Sequence, residues 1–259
     1  MRTAAHQWAE ALHQWHIPDE ILDQAPANPW IHPPKMFASS DDDPSDTASM
    51  RAAADLLGHG GSVLDVGCGG GRSSLPLAAR ITEIAGVDEQ QAMLDQFVTA
   101  AAERGVPCRA VLGRWPAVAG RTPTVDVVVC HHVVYNVAPI GEFVGALTGH
   151  ASRGVVVELP ETHPTSSFNG LWKRFWNLDR PTEPTADLFV DVVRESGAEP
   201  TVIRQHRQPR RSKLDPGEFT AFVRQRLCLS PHRDPEIAEA LADNHDFDPG
   251  PIVTVTWRV

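Results

Sequence analysis

The chain has 259 residues, 42% of them hydrophobic, and 23 Lys plus Arg against 33 Asp plus Glu give it a formal net charge of −10. This is the balance of an ordinary globular protein, long enough to bury a core without disulfides or a structural metal. It disfavours a nucleic-acid partner, because tight binding to a phosphate backbone needs several Lys or Arg contacts at once. No window approaches the 18 apolar residues of a membrane span, and the first residues lack the apolar core of a signal peptide. Cys68, Cys108, Cys130 and Cys228 form no CxxC pair, so the expectation is reduced thiols in the cytoplasm and no bound metal. The 20 Arg to 3 Lys read as the codon usage of a GC-rich genome.

The first predicted element is a helix from Thr3 to Trp15, with Trp8, Leu12 and Trp15 on one face and Thr3 as cap. From Ile17 to Asp46 six prolines and the run Asp41-Asp42-Asp43 break any helix and make a long connection that carries Trp30, His32 and Phe37. Ser45 or Asp46 caps a second helix, which ends at Gly58. Short apolar runs then alternate with helices: Val63 to Val66, a helix from Arg72 to Arg80, Ile84 to Val87, a helix from Gln90 to Arg104, and runs at Arg109–Leu112, Val125–Cys130 and Gly154–Leu159. Unbroken apolar strands separated by helices imply a doubly wound, mostly parallel α/β sheet covered on both faces. Beyond it lie an aromatic helical segment from Glu161 to Leu178, a helix from Thr185 to Ser196, a strand at Thr201 to Arg207, helices at Asp215–Leu229 and Asp234–Asp243, and a last strand from Ile252 to Val259. Alternation in that last strand, with Val253, Val255 and Trp257 on one side, suits an antiparallel strand at the edge of the sheet.

The stretch Val63 to Ser74 runs from a strand into Gly67, Gly69, Gly70 and Gly71 and on into a helix. Glycines permit positive φ and let a ligand touch the backbone, and a helix start offers N–H groups to an anion. Arg72 stands where the dinucleotide fingerprint needs its third glycine, and no Gly-Lys-Ser/Thr follows for a Walker A loop. The pattern of Asp65, Gly67, Gly69 and Gly71 resembles motif I of the class I S-adenosylmethionine-dependent methyltransferases. That resemblance implies a seven-stranded Rossmann-like sheet and binding of S-adenosyl-L-methionine, with S-adenosyl-L-homocysteine as product. Asp65 would orient the loop and the methionine amino group, while Gly67, Cys68, Gly69 and Gly71 pass under the cofactor.

The second family signature is an acid ending the second strand, supplied by Asp88 with Glu89 beside it, from which a carboxylate can bridge two ribose hydroxyls. Gln90 and Met93 would lie near the adenosine, Met93 packing on the sheet as well. Where the family carries an acid after the third strand, this chain reads Gly113-Arg114-Trp115-Pro116, so main-chain groups of Arg114 would meet the adenine edge and Trp115 would either stack on the ring or pack for area. At the carboxyl end of the fourth strand, Cys130 and His131 would face the cofactor and His132 the substrate, a neutral imidazole being able to take a proton from a hydroxyl. Tyr135 is either a second hydroxyl in the pocket or a packing residue, and the histidine pair can equally be read as capping backbone groups.

Two parts are expected: an N-terminal helical, Pro-rich lid over residues 1–45, and the methyltransferase domain over 46–259 with helical insertions at 161–180 and 215–243. Specificity would come from Ile17–Phe37, Pro160–Asp179 and the helices between Asp215 and Asp243, with Leu171, Phe175 and Leu178 read either as core or dimer contact or as an aromatic wall of the substrate pocket. The basic cluster Arg204, Arg207, Arg210, Arg211 and Lys213 reads as a solvated face or as a grip on an anionic substrate, and Trp8, Trp15, Trp172 and Trp176, taken as exposed, hint at a homodimer. Over its whole length the chain loosely resembles methyltransferases of actinobacteria. The function expected is methyl transfer to a small-molecule acceptor, most simply a hydroxyl of a sugar, polyketide or other metabolite. An RNA methyltransferase, a nicotinamide oxidoreductase and a non-catalytic cofactor-binding protein are the alternatives.

Overall fold

A computed structural model describes residues 2–31, 46–206, 214–243 and 250–259, the side chain of residue 243 excepted. Seven strands form one sheet in the order β3-β2-β1-β4-β5-β7-β6: β1 (Gly61–Val66), β2 (Ile81–Asp88), β3 (Cys108–Leu112), β4 (Val125–His131), β5 (Ala151–Pro160), β6 (Thr201–Gln205) and β7 (Ile252–Arg258). Neighbours from β3 to β5 pair in parallel, and β7 runs antiparallel to both β5 and β6. The last strand is thus antiparallel as expected but not at the edge. It is inserted between β5 and β6, which explains why Val253, Val255 and Trp257 are all buried. The expected doubly wound sheet is present, and its valine runs are buried on both faces against two apolar clusters.

The helices are α1 (Ala4–His13), a single turn α2 (Asp19–Leu22), α3 (Ala48–Leu57), α4 (Gln91–Glu103), α5 (Ile140–His150), α6 (Asn169–Trp176), α7 (Ala186–Glu195), α8 (Pro216–Arg226) and α9 (Asp234–Asp243). Thr3 caps α1 by accepting from the His6 N–H (3.2 Å), as predicted. The cap of α3 is Thr47, accepting from the Met50 N–H, and not Ser45 or Asp46. Helix α5, between β4 and β5, has no counterpart in the sequence reading. Its Gly141, Gly145 and Gly149 dilute the helical signal, since each costs about 1 kcal/mol of helix propensity, and burial of Ile140, Phe143, Val144 and Leu147 on the sheet overrides it.

Two features bring the N-terminal segment over the sheet. Trp8 is wholly buried, donates its indole N–H to the Val137 carbonyl (2.9 Å) and stacks on Tyr135 at 5.3 Å. Ile17 and Ile21 join Phe168, Leu171, Trp172, Phe222, Val223 and Ile237 in a third apolar cluster, which roofs the carboxyl ends of the strands. The homodimer hint fails at its premise, because Trp8, Trp15 and Trp172 are buried within this chain and the Trp176 N–H is given to the Leu227 carbonyl at 2.7 Å. His32 and Phe37 of the expected lid, and the boundary expected between residues 45 and 46, fall outside or at the margin of the described residues.

Candidate active site

A cavity of about 1310 Å3 opens along the carboxyl ends of β1, β2, β4 and β5 and continues beneath the α1, α6 and α8 roof. A single small-molecule site occupies roughly 300–1,000 Å3, so this one has room for two ligands side by side.

At one end lies the glycine loop. Gly67, Gly69 and Gly71 all have positive φ (72°, 51° and 87°). A Cβ on Gly67 would run into the Val133 side chain and one on Gly71 into Leu75, whereas a Cβ on Gly69 would meet nothing within 4 Å. The loop is therefore closed on its sheet side and open on its cavity side. The N–H groups of Gly67 and Cys68 donate to the Val87 carbonyl (2.8 and 3.0 Å), that of Gly71 to the Cys68 carbonyl, and that of Gly69 to Asp88 Oδ2 (3.0 Å). The helix predicted from Arg72 begins only at Leu75, as a 3-10 turn to Arg80, because Pro76 and the serine hydroxyls engage the chain differently.

Asp65 lies beneath the loop and does not line the cavity. Its Oδ2 accepts from Ser73 Oγ (2.7 Å) and Ser74 Oγ (2.5 Å), so it fixes the loop exit and does not reach a ligand directly. Burial, against the two hydroxyls and with a contribution from Asp88, pushes its carboxyl up to about 6. Asp88 does line the cavity, at the end of β2, with Oδ1 accepting from the Gln90 N–H (2.9 Å) and Oδ2 from Gly69. Each oxygen keeps a further lone pair. Glu89 pairs with Arg114 Nε at 3.2 Å, and Met93 is buried on α4 with part of its surface to the cavity. Trp115 is buried with its ring edge-on to His150 at 4.9 Å, and it also lines the cavity. Cys68 lines the cavity, but Cys130 is wholly buried and does not, contrary to expectation, since alternation along β4 turns it into the core.

At the centre stand His131 and His132, both on the cavity wall. His132 has φ +60°, a conformation that costs a non-glycine residue roughly 1–3 kcal/mol and that gathers at functional sites. It is held there by its N–H on the Glu158 carbonyl (2.8 Å) and by Nε2 at 3.2 Å from Glu158 Oε1. Glu158 is buried on β5 and its Oε2 accepts from Ser49 Oγ of α3 (2.5 Å). No sequence spacing connects the two members of this dyad. Its signal was an acid interrupting the apolar run Val155-Val156-Val157, at the strand end where such sheets bind ligands. Tyr135 is not a free hydroxyl: it donates to the Pro160 carbonyl (2.9 Å), and burial pushes its phenol up beyond any useful range. Among the described residues no cluster of three or more His, Cys, Asp or Glu gathers at metal-ligand range, and no helix is long and apolar enough to cross a membrane.

Under the roof the cavity is walled by Trp15, Phe168 and Trp172 and carries Arg180 and Arg226. Arg204, from the basic cluster singled out in the sequence, is instead paired with Glu161 (2.9 Å) and Asp187 (2.5 Å), and the cluster's residues 207–213 fall outside the described set.

Residues 63–150 match the family described as a methyltransferase domain. Over 88 residues the chain is 33% identical to the ubiquinone biosynthesis O-methyltransferase of Rickettsia felis, a stretch that is 34% of this chain and 36% of that relative, so the chain spans little more than a third of its length. Two solved structures share the fold: the YcgJ protein of Bacillus subtilis (TM-score 0.50, 15% identity, 79% of this chain and 97% of that one), and magnesium protoporphyrin IX methyltransferase of Synechocystis PCC 6803, which holds S-adenosylhomocysteine (TM-score 0.52, 16% identity, 83% and 81%). Residues 63–150 thus match a methyltransferase domain, and the Rossmann-like sheet that carries them is the fold of those solved structures.

Proposed function

We propose that the protein binds S-adenosylmethionine in the glycine-loop half of the cavity and transfers its methyl group to a hydroxyl of a small molecule held under the roof, with His132 as general base. The observation that carries this reading is the His132–Glu158 contact of 3.2 Å, made by a strained histidine on the wall of the cavity that the glycine loop and Asp88 also line.

The residues fit the cofactor. Gly69 leaves the loop open to a ligand's backbone approach, and Asp88 presents its spare lone pairs to ribose hydroxyls. When bound, the cofactor supplies a sulfonium-activated methyl group. What the chain must add is in-line positioning, exclusion of water and removal of the hydroxyl proton. A carboxylate at Glu158 accepts from Nε2–H of His132, which fixes the tautomer and leaves Nδ1 with the lone pair that takes the proton. Glu158 then stabilises the imidazolium, and Ser49 holds Glu158 in place from α3. All four cysteines are free thiols, and Cys68, Cys130 and Cys228 are buried, which supports a reducing, cytoplasmic setting.

The test is transfer of labelled methyl from S-adenosylmethionine to a metabolite extract, repeated with His132→Ala and Glu158→Gln. Turnover in the first variant should fall by about 10²–10⁴-fold with S-adenosylhomocysteine affinity within about twofold of wild type. Glu158→Gln should fall less and shift the pH dependence of turnover. Full turnover in His132→Ala overturns the base assignment, and an extract that accepts no label overturns the enzymatic reading.

A further inference from the structure

His163 stands on the loop that leaves β5, just beyond the strand end that carries Glu158, and it lines the roofed half of the cavity. Its ring is stacked on Trp15 with centroids 3.9 Å apart and planes at 17°, and it meets the edge of Tyr135 at 5.4 Å. Both partners are themselves tied down. The Trp15 indole N–H donates to the Glu183 carbonyl (2.6 Å), and the Tyr135 hydroxyl donates to the Pro160 carbonyl (2.9 Å) at the root of the same loop. The imidazole therefore has a fixed plane, and Tyr135, in the short turn that follows His132, ties that plane to the segment carrying the proposed base.

Its tautomer is fixed as well. Nδ1 receives the Thr165 main-chain N–H (3.3 Å) and lies 2.8 Å from Thr165 Oγ1. A main-chain N–H can only donate, so Nδ1 must hold a lone pair, and the Thr165 hydroxyl then donates to it too. In a neutral ring this places the proton on Nε2. The ring is neutral, because burial and then the charges of Arg180 and Arg226 push its imidazole down to about 3. Nε2–H meets no acceptor among the described residues, yet it is not sealed in the core. A half-buried donor with no protein partner is costly to keep unless water or a ligand accepts from it. The same half of the cavity is walled by Trp15, Phe168 and Trp172. One neutral N–H beside flat apolar walls matches an uncharged carbonyl oxygen on an aromatic molecule.

We propose that His163 is a specificity-determining residue that donates Nε2–H to a carbonyl oxygen of the acceptor, so that the methyl-accepting molecule is an aromatic one carrying both a hydroxyl and an uncharged carbonyl group. The inference rests on the proposed reading of the cavity, with the cofactor at the glycine loop and the acceptor under the roof, but is tested without turnover. Binding of 4-hydroxyacetophenone and of 4-ethylphenol, which has a methylene in place of the carbonyl, to the full chain saturated with S-adenosylhomocysteine would be measured by calorimetry, with the nitrogen NMR spectrum of the histidines recorded alongside. The wild type should prefer the ketone by about tenfold. Before ligand is added, His163 should show a proton-bearing Nε2 and a bare Nδ1 near neutral pH, and only the ketone should shift its Nε2 resonance. His163→Phe keeps a ring on Trp15 and loses the donor, so it should bind both ligands equally at wild-type S-adenosylhomocysteine affinity. His163→Gln keeps an N–H donor and should retain part of the preference. Should His163→Phe fail to fold, the nitrogen spectrum of the wild type decides. Equal binding of the two ligands by the wild type, no binding of the ketone, a preference that survives in His163→Phe, or a proton on Nδ1 overturns the assignment. Methyl transfer without a ketone preference would sink this role and leave the reaction standing, and failure of methyl transfer with the preference intact would do the reverse.

Discussion

Asp65→Asn is the most direct test of how the glycine loop is held. The native carboxyl has no exposure, accepts from Ser73 and Ser74 through Oδ2, and leaves Oδ1 buried without a hydrogen-bond partner. Burial outweighs the hydroxyls, and the folded-state value rises from 3.8 to about 6. The folded protein thus holds this proton more tightly than the unfolded chain. The stability that it confers is complete below pH 3.8 and is lost as pH rises through 6. At 1.36 kcal/mol per pKa unit the loss is about 3 kcal/mol, which for a chain of this size is about 6–12 °C in melting temperature. Asparagine keeps an acceptor oxygen for the serines and removes the charge. Urea unfolding of wild type and variant at several pH values between 3.5 and 7.5 should give a stability difference that moves toward the variant by about that amount, most of it between the two pKa values. Parallel curves would refute the argument, because they would mean that the carboxylate is ionised as easily in the fold as out of it.

Asp88→Asn removes one of the two oxygens shared by Gly69, Gln90 and the proposed ribose contacts, and should weaken S-adenosylhomocysteine binding by about tenfold or more in calorimetry. Gly67→Ala places a Cβ against Val133 at φ 72°; a melting temperature close to wild type would show that the loop yields more easily than its packing implies, and the expected cost is about 1–3 kcal/mol. Trp8→Ala empties a fully buried indole site beneath α1 and frees the Val137 carbonyl, so a loss of about 3–5 kcal/mol in urea unfolding is expected.

The sequence by itself determined the parts whose signal is local. Short valine runs between helices gave the doubly wound sheet, because a strand buried on both faces must be apolar at every position. The glycines at 67, 69 and 71 and the acid at 88 could be placed because positive φ and a strand-end carboxylate are properties of single positions, and the structure puts Gly67, Gly69 and Asp88 on the cavity wall. The tertiary structure alone decided what depends on convergence. Register across β4 and β5 pairs His131 with Glu158 and brings that carboxylate to His132, joining residues that no sequence spacing connects. Packing of the N-terminal segment and α6 within the chain buries Trp8, Trp15 and Trp172, which the sequence reading takes as exposed. Arg204, at the start of a stretch dense in basic residues, serves a surface ion-pair group with Glu161 and Asp187. Arg180 and Arg226, far apart in sequence, both line the cavity because α6, the segment after it and α8 share one roof with the N-terminal segment. Local chemistry fixes what a residue can do, and only packing decides which other residue it does it with.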